Sequence, residues 1–384
     1  MPIRVLIYTH AFAPSIGGVE TYVMLLAQGL AREAAGVQVT VATPTPAGNC
    51  DDAALPFHVV RRPGFATLLK LLWRADIIHV AGPCLLPMSL GWLLRKRVVV
   101  EHHGYQTICP NGNLLQEPSK AICPGHFMAG HYRKCFACHA CSVGRPRSAL
   151  DLLLVFPRRW ACGRVALNLP ITDHVNRRVR LPRSKVVHYG IPDAPHSVEE
   201  QSQNTGDFAY VGRMVSEKGL HLLIDAARQL QDAGCVFHLT YVGDGPERPA
   251  LEERVKALGL RNEVTFTGYL QGEALEHALR QVDALVMPSI WEETAGLSAI
   301  EQMMRGRLVI ASDTGGLGEV VDGAGLKFAV GDVKGLTSCL RRVLDEPSLV
   351  KSLGEKARER ALQLFRLRRM VADHLAVYRD LASH

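Results

Sequence analysis

Ala284-Leu-Val-Met-Pro-Ser-Ile-Trp-Glu-Glu293-Thr-Ala-Gly-Leu-Ser-Ala-Ile-Glu301 reads as a buried strand, a Pro-Ser turn and a helix entry. The run Ala284–Met287 is apolar throughout, as strands covered on both faces of a parallel sheet are. Glu293 and Glu301 lie eight steps apart, so one continuous helix would put them on different faces. They converge on one ligand only if Glu293 stays in the loop and Glu301 sits about two turns into the helix. The backbone N–H groups near Ala295, Gly296 and Leu297 are then the unsatisfied donors of a helix start, a good seat for phosphate. Hydroxyl-binding carboxylates beside an anion seat are what a nucleotide-sugar needs.

Working outward, the same strand-then-helix rhythm fills the chain. Ile3–Tyr8, Val37–Thr43, Asp76–Val80 and Arg97–Glu101 are short apolar runs in the first half, with the helical stripe Val19, Tyr22, Val23, Leu26, Leu30 between the first two. Asp207–Val211, Val236–Val242, Val264–Thr267, Ala284–Met287 and Leu308–Ala311 repeat the pattern. Strands alternating with helices predict a doubly wound α/β fold, here twice: two Rossmann-like domains facing a cleft. A chain of 384 residues suits two such cores. Pro182, Gly190, Pro192, Pro195 and the polar stretch Glu199–Gly206 place the boundary near 192–205. The expected domains are 1–195, with a cysteine-rich insert at 105–145, and 196–364. A last helix over Phe365–Leu381, within 365–384, would cross back to pack at the junction.

Composition narrows the class. Hydrophobic residues make up 47% and charged residues 21%, normal for a globular protein. No apolar run reaches the roughly 18–20 residues that span a bilayer, and Met1-Pro-Ile-Arg-Val reads as a strand rather than a leader, so a cytoplasmic protein is expected. The net charge of +7 favours anionic partners without choosing among phosphate donors, anionic lipid and nucleic acid. Basic residues without interleaved aromatics argue against nucleic acid.

Three glycine turns follow strands in the second half. Val211-Gly-Arg213-Met-Val-Ser216-Glu-Lys218-Gly219 offers a guanidinium fork and a point charge suited to a diphosphate, with a solvated loop pair as the plain alternative. Ser216 reads as a helix cap. Gly243-Asp-Gly245-Pro246 is equally a structural or a ligand-facing turn. Thr314-Gly-Gly316-Leu-Gly318-Glu319 falls where open α/β sheets bind ligands.

In this order, Gly-Arg-x4-Lys-Gly, Gly-x-Gly-Pro, Phe-Thr-Gly, Pro-Ser-x3-Glu-x7-Glu and Gly-Gly-x2-Glu resemble the donor half of a retaining GT-B glycosyltransferase of the family 4 type. The resemblance implies that Arg213 and Lys218 bind the donor diphosphate, Glu293 the sugar hydroxyls and Glu301 the ribose. It implies that Phe266, Gly268, Tyr269 and Leu270 hold the base and that Gly243 borders the donor. In the first domain it implies that Gly17 and Gly18, otherwise a flexible turn and helix start, face the diphosphate. His-x-Tyr-x3-Cys-Pro aligns His103, Tyr105, Cys109 and Pro110 with the family pattern, making His103 the catalytic-cleft histidine and His102 the fallback. Catalysis would rest on His103, Glu293, Arg213 and Lys218, with no metal required. Three departures stand out: Ala295 replaces a common Phe, Gly318 a common Pro and Gly104 a frequent Asp. The first puts the identity of the donor sugar in question rather than the chemistry.

Cys109-x13-Cys123-x11-Cys135-x2-Cys138-x2-Cys141 offers two readings. Cys109, Cys123, Cys135 and Cys138, with Cys141 as an alternative, could staple the insert around a structural zinc; the spacing also resembles iron–sulfur ligation. Reduced thiols are the plainer reading, and ten cysteines in a chain read as cytoplasmic argue against disulfides. Leu85–Leu94 followed by Arg95-Lys-Arg97 reads as a core helix, or alternatively as a peripheral contact with anionic membrane at its inner face. The expected activity is transfer from a nucleoside diphosphate-sugar to a saccharide or lipid-linked acceptor, as in polysaccharide biosynthesis. An epimerase or a non-catalytic nucleotide-sugar binder on the same fold is the alternative. A nicotinamide enzyme is disfavoured, since no Gly-x-Gly-x2-Gly follows the first strand of either domain.

Overall fold

A computed structural model describes residues 2–33, 36–195 and 206–383. These fall into two compact units: Met1–Ser119 with Cys123–Pro192 and Leu364–His384, and Lys120–Ile122 with Asp193–Gln363.

In the first unit the chain runs β1 (Ile3–Thr9), α1 (Gly18–Glu33), β2 (Val37–Thr43), β3 (His58–Arg61), α2 (Phe65–Arg74), β4 (Ile77–Ala81), α3 (Leu85–Leu93) and β5 (Arg97–His102). It continues through α4 (Tyr132–Val143), α5 (Arg145–Cys162), β6 (Leu167–Pro170) and α6 (Asp173–Val179). The six strands form one parallel sheet in the order β3-β2-β1-β4-β5-β6. The β4 strand is buried along its whole length, as a central strand with helices on both faces must be.

The second unit repeats the plan. Its elements are β7 (Asp207–Val211), α7 (Leu220–Asp232), β8 (His238–Val242), α8 (Arg248–Ala257), β9 (Val264–Gly268), α9 (Gly272–Ala278), β10 (Ala284–Met287) and α10 (Leu297–Met304). Then come β11 (Leu308–Ser312), α11 (Gly315–Val320), β12 (Leu326–Phe328), α12 (Val333–Asp345) and α13 (Pro347–Leu364). The sheet order is β12-β11-β10-β7-β8-β9, again all parallel. The two doubly wound sheets are those expected from the alternation.

The last helix, α14 (Leu367–Ser383), returns to the first unit. Gly29 of α1 leaves room for it: a Cβ there would come 2.4 Å from Val371. The chain before α14 is pinned where Ile191 N–H donates to Phe365 O at 2.8 Å and Leu367 N–H to Ile191 O at 2.7 Å.

The sequence reading misses β3, β6 and β12, and each is a sheet edge. Such strands are short and only partly covered, so they lack a continuous apolar run. Val236, read as strand, is 87% exposed and precedes β8. The polar boundary stretch 199–205 lies outside the described residues. Among those residues no helix is long and apolar enough to cross a membrane.

Candidate functional site

The helix after β10 begins at Leu297, and Gly296 before it has φ 87° and ψ 72°. A side chain would strain that left-handed conformation, so Gly296 is what lets the chain turn sharply into α10. Glu293 therefore lies in the loop and Glu301 in the second turn of the helix, the break their spacing requires. Among the described residues the amides of Ala295, Gly296 and Leu297 have no internal acceptor. They are free donors at the positive end of the helix dipole.

Three loops close on Glu293. From its own loop, the Ser289 hydroxyl donates to Oε2 at 2.7 Å. From the loop after β7, the Lys218 ammonium pairs with Oε1. From the start of α11, Gly316 N–H donates to the Glu293 carbonyl at 2.6 Å. Gly315 makes this possible, because a Cβ on it would come 2.3 Å from that carbonyl oxygen. The strands carrying these loops, β11, β10 and β7, are neighbours, and connections diverge to opposite sides of the sheet at β10 and β7. The carboxyl end of such a switch point is where open α/β sheets bind ligands.

The structure thus brings Lys218 and Glu293 into direct contact, where the sequence reading gave them separate ligand groups. Arg213 is exposed, and its guanidinium makes no hydrogen bond or ion pair among the described residues. Its carbonyl accepts from the Tyr210 hydroxyl at 2.7 Å. Burial raises Tyr210 well above the ordinary phenol range, with the Glu293 charge adding and Arg213 opposing. Ser216 does not cap α7 as expected. The chain makes a short 3-10 turn over Ser216–Lys218, and Gly219 precedes the helix with no side-chain cap.

The turns after β7, β8 and β9 are knitted by backbone. Met214 N–H donates to Asp244 O at 2.8 Å, and Gly243 N–H to Gly268 O at 2.8 Å. Phe266 stacks on Tyr241 with centroids 4.9 Å apart, so its ring serves packing. Tyr269 stands exposed beyond the strand end, with Leu270 beside it half-buried. Glu301 is raised above the usual carboxylate range by burial, with Glu276 adding and Arg305 opposing.

In the first unit, Gly17 and Gly18 form the entry to α1, where Thr21 N–H donates to Gly17 O at 3.1 Å. The two adjacent histidines diverge. His102 is fully buried, its Nε2 2.9 Å from Asn168 Oδ1, and burial lowers it to about 4. It is therefore a neutral core histidine. His103 sends Nδ1 to the Tyr189 hydroxyl at 2.8 Å and lays Nε2 3.5 Å from Glu101 Oε2.

Glu101 is a centre the sequence reading did not single out. Fully buried, it lies 3.1 Å from His79 Nε2 and 3.7 Å from His374 Nε2. Burial alone would raise it, but His103, His374 and His79 outweigh this and hold it well below the usual carboxylate range. His374 Nδ1 donates to Met370 O at 2.8 Å, and its Nε2 lies 3.0 Å from the Tyr22 hydroxyl. His79 Nδ1 meets the Tyr378 hydroxyl at 2.8 Å. His79, Glu101 and His374 offer ligand atoms within 4.8 Å of one another, as a metal would need. The tyrosines and Met370 O already engage these imidazoles, so the cluster stands as a hydrogen-bonded network. Its one local signal was a carboxylate at the end of an otherwise apolar strand.

The cysteines of the insert are free thiols. Cys135 and Cys138 lie one turn apart on α4. Cys135 is pushed up to about 12 by burial first and then by neighbouring Cys109, Cys123 and Cys138. Glu117 N–H donates to Cys138 Sγ at 3.2 Å, and Cys123 N–H to Leu114 O at 2.7 Å. Three chain segments therefore gather the four thiols. Among the described residues no three of them come within 4.8 Å. Cys141 is exposed and turned to Ala137 O at 3.3 Å.

Comparison with known proteins agrees with this architecture. The family model "Glycosyltransferase Family 4" matches residues 16–192, and "Glycosyl transferases group 1" matches 195–360. A 2-deoxystreptamine glucosyltransferase of Streptomyces kanamyceticus is 32% identical over 237 residues, 56% of this chain and 61% of that protein. Glycogen synthase of Mycobacterium tuberculosis is 33% identical over 179 residues, 46% of this chain and 43% of that protein. The matches thus span less than two thirds of these relatives' own lengths. In fold, sucrose-phosphate synthase of Thermosynechococcus elongatus superposes with TM-score 0.75 at 22% identity, covering 99% of both chains. Anabaena Alr3699/HepE in complex with UDP gives 0.74 at 17%, covering 98% of this chain and all of that one. The two family models between them take in most of the chain: it belongs to the group 1, family 4 glycosyltransferases, with the GT-B fold.

Proposed function

We propose that the enzyme moves a sugar from a nucleoside diphosphate-sugar to a hydroxyl of a saccharide, free or lipid-linked, with retention at the anomeric carbon. The observation that carries this reading is the convergence of three strand-end loops on Glu293, beside Arg213 and three free amides. Departure of the diphosphate concentrates negative charge on its oxygens. Arg213, Lys218 and the amides of Ala295, Gly296 and Leu297 stabilise it as preorganised donors. Glu293, held by Ser289 and Lys218, accepts hydrogen bonds from sugar hydroxyls, and Glu301 accepts them from the ribose. Gly243 and the stretch Phe266–Leu270 border the base. The acceptor attacks from the face the diphosphate leaves, so no protein nucleophile is needed. In the first unit, Gly17 and Gly18 serve the diphosphate, and His103 positions sugar or acceptor while Glu101 holds its ring.

Support for the donor class comes from the fold neighbour determined with UDP, and with UDP-glucose. Calorimetric titration with UDP-, GDP- and ADP-sugars tests it. One nucleotide-sugar should bind, with affinity falling at least tenfold in Glu293→Ala and Arg213→Ala. Binding of none, or equal binding by both variants, overturns the reading. Transfer should persist in EDTA if the cations replace a divalent metal. An epimerase would interconvert nucleotide-sugars without acceptor.

We propose a structural metal, zinc by preference, on Cys109, Cys123, Cys135 and Cys138, which would have to draw the four thiols closer together than the structure holds them. A metal there would supply cross-linking and no chemistry of the reaction. Metal analysis of fresh protein should find about one equivalent, lost in Cys135→Ser and kept in Cys141→Ser; a content near zero removes the staple.

A further inference from the structure

The exposed side of α3 and α5 is apolar where a globular surface is ordinarily polar. Along α5, Leu150, Leu153, Phe156 and Trp160 recur at steps of three and four, one stripe of the helix. The stripe faces outward: Leu153 is 65% exposed and Trp160 52%. The opposite side carries the buried Val155 and Cys162. Trp92 of α3, 59% exposed, meets Trp160 edge-on with centroids 6.1 Å apart, and Leu93 beside it is 70% exposed. The two helices therefore present one continuous surface. Trp160 and Arg164 are shared by two cavities, of about 260 and 470 Å³, whose other walls are mainly apolar and aromatic side chains.

The charge on and beside these two helices is predominantly basic. Arg164 lies over the Trp160 ring at 3.9 Å. Arg95, Lys96 and Arg97 follow α3, and Arg145 and Arg147 open α5. The sequences of α3 and α5 contain one acid between them, Asp151. It is buried and occupied by His139 Nε2 at 2.9 Å and Arg147 Nε at 2.8 Å.

We propose that this face of α3 and α5 lies on the surface of an anionic bilayer, its tryptophans and leucines seated at the acyl boundary and its arginines among lipid phosphates. Exposed Trp, Leu and Phe bordered by arginines, of which Arg147 is paired with Asp151, match such an interface in both apolarity and charge. An acidic protein partner would answer the arginines but leave the protruding Leu153 and Leu93 without apolar cover. The sequence reading of Leu85–Leu94 as a core helix holds for its inner side, where Pro87, Met88 and Gly91 are buried. The alternative reading of that segment as a membrane contact concerns its outer side, and neither reading includes α5, which supplies most of the surface.

Flotation of the full chain with phosphatidylcholine vesicles, with and without about one third phosphatidylglycerol, tests the proposal. At low salt the anionic vesicles should carry at least tenfold more protein, and high salt should release most of it. Leu153→Glu and Trp160→Glu should each cut vesicle binding at least fivefold while leaving the melting temperature unchanged, since both side chains are exposed. Arg164→Glu should weaken binding to anionic vesicles alone. No vesicle binding at low salt, or full binding by Leu153→Glu, overturns the assignment. So does self-association in solution that Leu153→Glu abolishes without any vesicle binding; the face would then belong to a second copy of the chain.

Discussion

Two buried carboxylates, one in each unit, solve the cost of burial in different ways. Glu293 has a lysine and a serine, supplied by loops at the carboxyl end of its sheet. Among the described residues Glu101 pairs with no lysine or arginine and is surrounded by imidazoles and tyrosines from α1, β4 and α14. Under the proposed function the first arrangement is opened by a ligand, Lys218 turning to a phosphate while sugar hydroxyls replace it at the carboxylate. The second has nothing exposed to exchange, so it fixes a core and with it the backbone leading to His103. A carboxylate that works and a carboxylate that supports differ less in burial than in whether their partners can leave.

Substitution should separate the two. Glu293→Gln keeps the shape and removes the charge, and should lower kcat/KM by about 10²–10³, with a small change in melting temperature. Parallel transfer assays and melts would show it; a collapse of stability instead would make Glu293 a structural group. Glu101→Gln should do the reverse, costing about 3–4 kcal/mol of stability in urea unfolding, as when one partner of a buried charged network is removed. Full stability in that variant would break the contrast.

Acid probes the supporting side further. His102 titrates near 4 in the folded chain against 6.5 when exposed. The unfolded state therefore binds the proton more readily, and stability present above pH 6.5 is lost as pH falls toward 4, by about 3 kcal/mol. Urea midpoints at several pH values should show a smaller acid loss in His102→Gln than in the parent. In the proposed donor site an ionised Glu301 is the stronger acceptor for a ribose hydroxyl, and burial raises its pKa. Donor affinity should fall on acidification at a pH above the ordinary carboxylate range, and Glu301→Gln should flatten that dependence. The smallest effect is steric: Gly315→Ala forces a Cβ against the Glu293 carbonyl and should cost about 1–3 kcal/mol, with a matching loss of donor affinity.

Legibility followed the same divide. Residues 284–301 carry their strand, break and helix within one window, so local pattern exposed the break between the two carboxylates. Ser289, quoted only as part of a turn, showed its bond to Glu293 only in three dimensions. The link of Lys218 to Glu293 crosses 75 positions, and only the order of strands in the sheet reveals it. Glu101 was harder still, since Tyr22, His79 and His374 come from segments that share no motif. Edge strands escaped because half-covered β structure leaves no apolar run, and the α5 stripe escaped because its outward residues look like core.

The return of α14 has a consequence for how the molecule is made. Tyr22 meets His374 across 352 positions, so the first unit cannot close until α14 has been synthesised. The second unit is almost wholly continuous in sequence and can complete itself while its neighbour still exposes the pocket around Glu101. Of the two units, the one whose strands are made first is therefore the one that closes last, and in that interval it is the more in need of a chaperone.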